Sequence, residues 1–228
     1  MGEMIKLNAA DGHALDAYLA QPAGEPRGRL VVVQEIFGVN GHIRDVCDRF
    51  AADGYVALAP ALFDRVAPGT EFEYDDDGVA AGRALKDRAT WPQVAADIAA
   101  ARDHLAAAGL SAAEAVAIIG YCWGGSVAWL GATEGGFIAA IGYYGGQIID
   151  LNDRTPKCPT LLHFGDQDGA IPLDDVAAIR AAHPDVTVHV YEGAGHGFNC
   201  DRRGSYHEAA AGRALERTNA FLTAQFAG

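Results

Sequence analysis

Leu30-Val31-Val32-Val33 is a run of four apolar residues with no polar position between them. Such a run has no side it can turn to water, so it reads as a strand covered on both faces, as in a parallel sheet flanked by helices. Tyr55–Ala59, ended by Pro60, has the same character, and Val116–Gly120, Phe137–Gly142, Thr160–Phe164 and Thr187–Tyr191 read as further strands. Between them lie helical patterns. Val46, Phe50 and Ala51 mark a stripe stopped by Asp53-Gly54. Thr90-Trp91-Pro92 opens an Ala-rich helix that runs to Ala108-Gly109, and further helices are expected from Trp123 to about Leu130, over Leu173–Ala182 and over Tyr206–Phe226.

Strand and helix alternate every roughly 25–40 residues, the spacing of a mostly parallel sheet with helices on both faces. Ile5–Leu7 and Asp16–Ala20, split by the turn signal Asp11-Gly12, add an antiparallel hairpin at the N-terminal edge. No linker-like or repeated segment interrupts the pattern, so residues 1–228 are expected to form a single α/β domain. Residues 61–90 stand out as an irregular insertion with a short helix near Val79–Leu85, placed after a core strand where a cap over a site would sit.

Composition narrows the function classes. Half of the 228 residues are hydrophobic, enough to bury a sizeable core without disulfides. Lys and Arg number 17 against 30 Asp and Glu, a balance of −13 that disfavours nucleic acid and anionic lipid as partners. No apolar run approaches the roughly 18 residues of a membrane span. The start of the chain, Met1-Gly2-Glu3-Met4-Ile5-Lys6, has no apolar signal segment. Cys47, Cys122, Cys158 and Cys200 form no C-x-x-C pair and no zinc-type spacing, so no metal site is expected. A reduced, cytoplasmic protein is the simplest expectation.

The chemistry concentrates at Gly120-Tyr121-Cys122-Trp123-Gly124-Gly125, between a predicted strand and a predicted helix. This is the Gly-x-Ser-x-Gly elbow with Cys in the nucleophile's place. A sharp strand-to-helix turn exposes the side chain at its tip, and the flanking glycines let chain segments pass close together. The helix N-terminus behind it favours a thiolate. The alternative is a structural Cys beside turn glycines. The other cysteines read as structural: Cys47 sits in a helix, Cys158 precedes Pro159, and Cys200 stands in a polar loop.

A thiol nucleophile calls for an imidazole base, and the imidazole for a carboxylate that sets its tautomer. Thr160–Phe164 runs into Gly165-Asp166-Gln167-Asp168, and Thr187–Tyr191 runs into Glu192-Gly193-Ala194-Gly195-His196-Gly197-Phe198. Both follow the C-terminal ends of predicted parallel strands, where open α/β sheets keep their sites. Among eight histidines His196 alone is flanked by glycines in such a loop. His163 falls within a strand and reads as a satisfied core residue. His183 stands at a helix end, and His13, His42, His104, His189 and His207 read as surface or structural. Asp168 is preferred over Asp166 as the acid, with an N-cap as its alternative role; Asp166 fits a turn residue.

On these residues the sequence resembles the dienelactone hydrolase (carboxymethylenebutenolidase) family of the α/β-hydrolase fold. Gln34-Glu35-Ile36-Phe37-Gly38-Val39-Asn40, Ala67-Pro68-Gly69-Thr70, the Cys elbow, Gly142-Tyr143-Tyr144-Gly145 and Gly195-His196-Gly197-Phe198 carry the resemblance. It implies a Cys122–His196–Asp168 triad, with Glu35 facing the thiol in the resting enzyme. It also implies an oxyanion hole of the backbone amides of Ile36 and Trp123; Tyr144 is a candidate to line the pocket, with a stacked core residue as its alternative role. The implied reaction opens a small enol lactone or activated ester through a thioester, with no metal or organic cofactor. The chain departs from the family pattern in its substrate-carboxylate arginines. An acidic segment, Glu71-Phe72-Glu73-Tyr74-Asp75-Asp76-Asp77, follows Thr70, with Arg83 the nearest cation. Cys200 stands where the second arginine would be, with Arg202 and Arg203 beyond. A broader carboxylesterase or thioesterase is therefore the second enzyme reading. A redox sensor built on Cys122 is the reading from another class, although a sensor has no need of His196 and Asp168.

Overall fold

Gly28–Val33 (β3) and Tyr55–Pro60 (β4) are buried at every position. They pair in parallel, Gly28 opposite Tyr55 and Val31 opposite Leu58, as two-sided apolar strands should. In the computed structural model, which describes residues 2–107 and 115–227, the chain divides into two compact units, Met1–Ile118 and Ile119–Gly228.

The first unit begins with the expected hairpin. Glu3–Asn8 (β1) and Ala14–Ala20 (β2) pair antiparallel, and β2 then pairs antiparallel with β4, so the strand order is β1-β2-β4-β3. The outermost strand alternates in exposure while β3 and β4 do not, which is how an edge differs from a centre. Gly41–Ala52 (α1) packs on β2 and β4 through the predicted stripe, with Val46, Phe50 and Ala51 buried. Its N-cap Asn40 accepts the Ile43 N–H at 3.2 Å.

The insertion is more ordered than its composition suggests. Leu62–Arg65 is a 3-10 turn, and Asp76–Lys86 (α2) is a helix three residues longer at its start than the expected Val79–Leu85. The acidic run explains the difference. Asp75 is the N-cap and accepts the Gly78 N–H at 2.7 Å, while Asp76 and Asp77 lie in the first turn, where the helix dipole favours negative charge. Trp91–Ala107 (α3) begins behind Thr90, whose hydroxyl donates to Gln93 Oε1 at 2.8 Å. The predicted end of this helix at Ala108-Gly109 lies outside the described residues. Arg65 grips Asp97 of α3 with two bonds, Nε to Oδ2 at 2.7 Å and Nη2 to Oδ1 at 2.8 Å.

The second unit carries Val116–Tyr121 (β5, which starts in the first unit), Ala139–Tyr143 (β6), Thr160–Gly165 (β7) and Thr187–Tyr191 (β8), in that order. β6, β7 and β8 are parallel, with Tyr143 opposite His163 and Gly165 opposite Tyr191. Strand β6 starts two residues later than its apolar run predicts, because pairing begins at Ala140 opposite Thr160. Trp123–Glu134 (α4) is buried from Trp123 through Thr133 and apolar on every side, so it is the core helix of this unit. Leu173–Ala182 (α5) matches its predicted span. Glu208–Phe226 (α6) starts two residues after the predicted Tyr206, because extended His207 is its cap and accepts the Ala210 N–H at 3.2 Å. Eight strands, mostly parallel with an antiparallel edge, and six α-helices among the described residues make the α/β class.

Candidate active site

Strand β5 ends at Tyr121 and helix α4 begins at Trp123, leaving Cys122 alone to turn the chain. It does so at φ 56° and ψ −118°, in territory that side chains other than glycine avoid. Two close approaches make the turn possible. A Cβ on Gly120 would strike the Gly124 carbonyl, and one on Gly125 would stand 2.5 Å from the Tyr143 carbonyl oxygen. Tyr143 then fastens the elbow from β6, since its carbonyl accepts the Cys122 N–H at 3.0 Å. The Cys122 side chain makes no capping bond to α4, so its sulfur is left for other partners.

One partner is His196. Its Nε2 lies 3.1 Å from Cys122 Sγ, and its Nδ1 lies 2.8 Å from Asp168 Oδ2. Asp168 is fully buried at its side chain, whereas His196 keeps 24% of its side-chain surface exposed. The second Asp168 oxygen accepts the Ala170 N–H at 2.9 Å, which locks the carboxylate's orientation. Burial opposes charge on the His196 ring, but the adjacent Cys122 sulfur and the Asp168 carboxylate outweigh it and raise His196 to about 10. At neutral pH the ring is therefore charged, with one N–H facing the sulfur and one the carboxylate, an arrangement able to give a proton to an atom bonded at sulfur and to take one back.

The choice between the two acidic residues after β7 is visible in their partners. Asp166 Oδ1 accepts the Gly193 N–H at 2.7 Å and so ties the loop after β7 to the loop after β8, a longer reach than the local turn expected. Asp168 does not cap α5, whose N-cap is Pro172. Tyr144, fully buried and at φ 39°, stands edge-on to the His196 ring with centroids 5.2 Å apart. His163 is the satisfied core residue expected, with Nδ1 2.8 Å from the Tyr191 hydroxyl and Nε2 3.1 Å from Thr218 Oγ1.

Glu35 lies just past β3 in the first unit. It is fully buried, not a surface loop carboxylate, and accepts the Tyr74 hydroxyl at 2.9 Å. Tyr74 escaped sequence reasoning because it sits in an acidic stretch with no periodicity; the same ring packs on Phe37 at 4.5 Å. Gln34, quoted above only as part of a motif, accepts the Leu62 N–H at 3.2 Å and so ties the end of β3 to the 3-10 turn. Ile36 is buried, and helix α2 rests against its carbonyl at Gly82, where a Cβ would collide.

Of the remaining cysteines, Cys47 is buried in α1, and burial pushes its thiol well up. Cys158 is half-buried and pushed up to about 11 by burial. Cys200 is fully buried within its loop, the structural place expected of it. Arg83 is exposed on α2 and Arg202 is exposed, whereas the Arg203 guanidinium lies against Gly197, next to His196. Among the described residues no helix is long and apolar enough to cross a membrane.

Comparison with known proteins identifies the family. The model of the dienelactone hydrolase family matches residues 15–226. The carboxymethylenebutenolidase of Pseudomonas putida is 35% identical over 231 residues, covering 96% of this chain and 95% of its own. A Synechocystis protein named "Putative carboxymethylenebutenolidase" is 39% identical over 215 residues, 88% of this chain and 87% of its own. A solved structure from Klebsiella pneumoniae named "Putative Dienelactone Hydrolase" is 31% identical, covers 96% of this chain and 98% of its own, and superposes with a TM-score of 0.83. With its elbow cysteine and its mostly parallel sheet, the chain belongs to the dienelactone hydrolase family and has the α/β-hydrolase fold.

Proposed function

We propose that this lactone/ester hydrolase works through Cys122 as nucleophile, His196 as base and then acid, and Asp168 as the group that orients His196. The observation that carries the reading is the relay Cys122 Sγ, His196 Nε2, His196 Nδ1, Asp168 Oδ2, with links of 3.1 and 2.8 Å.

The sulfur, its proton held by His196, attacks the carbonyl carbon of a small enol lactone or activated ester. The oxyanion that forms takes hydrogen bonds from the backbone amides of Trp123 and Ile36, the roles the family resemblance gives them. Collapse breaks the bond to the enol oxygen, which leaves with the proton from His196, and a Cys122 thioester remains. Water, deprotonated by His196, attacks the thioester; the product acid departs and the sulfur is left beside the protonated ring, as at the start. Glu35 is the thiol's resting partner in this reading, held by Tyr74, and Tyr144 borders the site through the His196 ring. The substrate is a small molecule, and a reducing compartment such as the cytoplasm keeps the thiol available.

The acidic segment Glu71–Asp77 and the cysteine at position 200 favour a second reading of the substrate, an ester or lactone without a carboxylate. Turnover of p-nitrophenyl acetate and of a lactone panel, with and without a carboxylate, tests both. Cys122→Ala is expected to abolish turnover with the fold intact, and Cys122→Ser to be far weaker than the parent, because a hydroxyl is the poorer nucleophile at neutral pH. Full activity in Cys122→Ala would remove the nucleophile assignment. A clear preference for carboxylate-bearing lactones would remove the second reading.

A further inference from the structure

Beneath the relay lies a buried chain of polar side chains that the reaction does not use. Tyr191 of β8 meets His163 Nδ1 of β7 at 2.8 Å. His163 Nε2 meets Thr218 Oγ1 of α6 at 3.1 Å, and Thr218 Oγ1 meets the Tyr143 hydroxyl of β6 at 2.7 Å. Four elements are thus joined through three hydrogen bonds. Tyr143, His163 and Thr218 are buried to within 1%. Burial is the main cause that drives His163 well below its ordinary value, so the ring is neutral. A neutral imidazole has one donor and one acceptor nitrogen, and this chain satisfies both.

The same strand residues hold the site through their backbones. The Tyr143 carbonyl accepts the Cys122 N–H at 3.0 Å. The His163 carbonyl accepts the Tyr144 N–H at 2.7 Å, and Tyr144 carries the ring that stands against His196. The Tyr191 carbonyl accepts the Asp166 N–H at 3.0 Å and the Ala194 N–H at 3.4 Å, the first on the loop to Asp168 and the second on the loop to His196. Each strand therefore presents one residue whose side chain joins the buried chain and whose carbonyl fastens part of the site. Three strands that could slide by tenths of an ångström under purely apolar packing are pinned to one another at the level where the nucleophile, its base and its acid depart. Burying polar groups is a poor route to stability, since apolar residues of equal volume serve as well or better. What a fully satisfied polar chain adds is a fixed relative position.

We propose that Tyr143, His163, Thr218 and Tyr191 form a positioning network that sets the distance between Cys122 and His196, with Thr218 as its hub. The proposal rests on the triad reading given above and adds to it residues that touch neither substrate nor reacting atoms.

The test uses Thr218→Val, Thr218→Ser and Tyr143→Phe in the full chain. Three readouts are taken: kcat and KM on p-nitrophenyl acetate, the iodoacetamide alkylation rate of Cys122, and the nitrogen-15 shifts of the His196 ring. Thr218→Val is expected to lower kcat by roughly ten- to a hundredfold with KM within about twofold, the size of a small misplacement of reacting groups. The alkylation rate and the His196 shifts change with it. Thr218→Ser restores all three, since it keeps the hydroxyl and loses only a methyl. Tyr143→Phe deletes one oxygen and is expected to move the same readouts in the same direction, and it decides the matter if Thr218→Val does not fold. Lower melting temperature with unchanged kcat, alkylation and ring shifts would reduce the network to a core packing feature and overturn the proposal. Because alkylation and ring shifts do not depend on turnover, the positioning result stands or falls separately from the hydrolase reading, which Cys122→Ala tests.

Discussion

At the scale of single residues, the two acids after β7 differ by what each oxygen holds. Asp168 orients His196 and has its other oxygen occupied by a backbone N–H. Asp168→Asn keeps the shape but presents an amide to Nδ1, and the ring turns to the tautomer that cannot accept a proton from sulfur. The rate is expected to fall by up to about 10⁴-fold, less for a thiol than for a hydroxyl, with unchanged circular dichroism. Asp166→Asn retains an oxygen for the Gly193 N–H and should cost far less on the same activated ester. The charge on His196 gives a second outcome. Its proton is held to about 10 in the folded protein against 6.5 for an ordinary histidine, so the folded state binds more protons than the unfolded chain between those values. The stabilisation is therefore complete below about pH 6.5 and is lost as the pH rises through about 10. Urea unfolding of the parent and of His196→Gln across that window should show the parent's advantage shrinking with pH. An advantage that grew with pH would mean a neutral ring.

At the scale of elements, helix α2 is seated by the absence of a side chain. Gly82 lies against the Ile36 carbonyl, and Gly78 against that of Glu73. Gly82→Ala forces the helix or the Ile36 loop to shift, against the usual helix gain of replacing glycine by alanine. It is expected to lower both melting temperature and kcat, the latter because Ile36 is the proposed oxyanion donor, by about 1–3 kcal/mol in stability, the cost of overpacking. A rise in melting temperature with unchanged kcat would mean that the helix shifts freely. This seating could not be read from the sequence, where residues 61–90 show turn signals, charge and a short helix but nothing that says what the helix rests on. The strands were legible because burial on both faces leaves no polar position, as in Leu30–Val33. The triad candidates were legible because each sits on a glycine-marked loop after such a strand. Tyr74 beside Glu35 and Thr218 beside His163 were not, because each pairs residues more than 38 apart through side chains that any helix or loop can carry. The burial of Cys200 was hidden for a related reason: its neighbours Asn199 and Asp201 are polar, but the loop folds its thiol inward, as suits the structural residue expected.

At the scale of the whole molecule, the charge of −13 places the isoelectric point near 4.9. Self-repulsion that keeps the molecules apart at neutral pH vanishes there, so a solubility minimum near pH 4.9 is expected, and light scattering across pH 4–7 checks it. The order of the site along the chain has a different consequence. Cys122 on the elbow after β5 comes first, Asp168 after β7 second, and His196 after β8 last, with Thr218 of α6 later still. A ribosome makes the chain in that same order. A nascent or truncated polypeptide that stops short of His196 thus owns the thiol and the carboxylate of the proposed triad but not the imidazole that joins them, and it is expected to leave p-nitrophenyl acetate unhydrolysed. On the proposed triad, ester hydrolysis becomes possible only once the residues through His196 have been made.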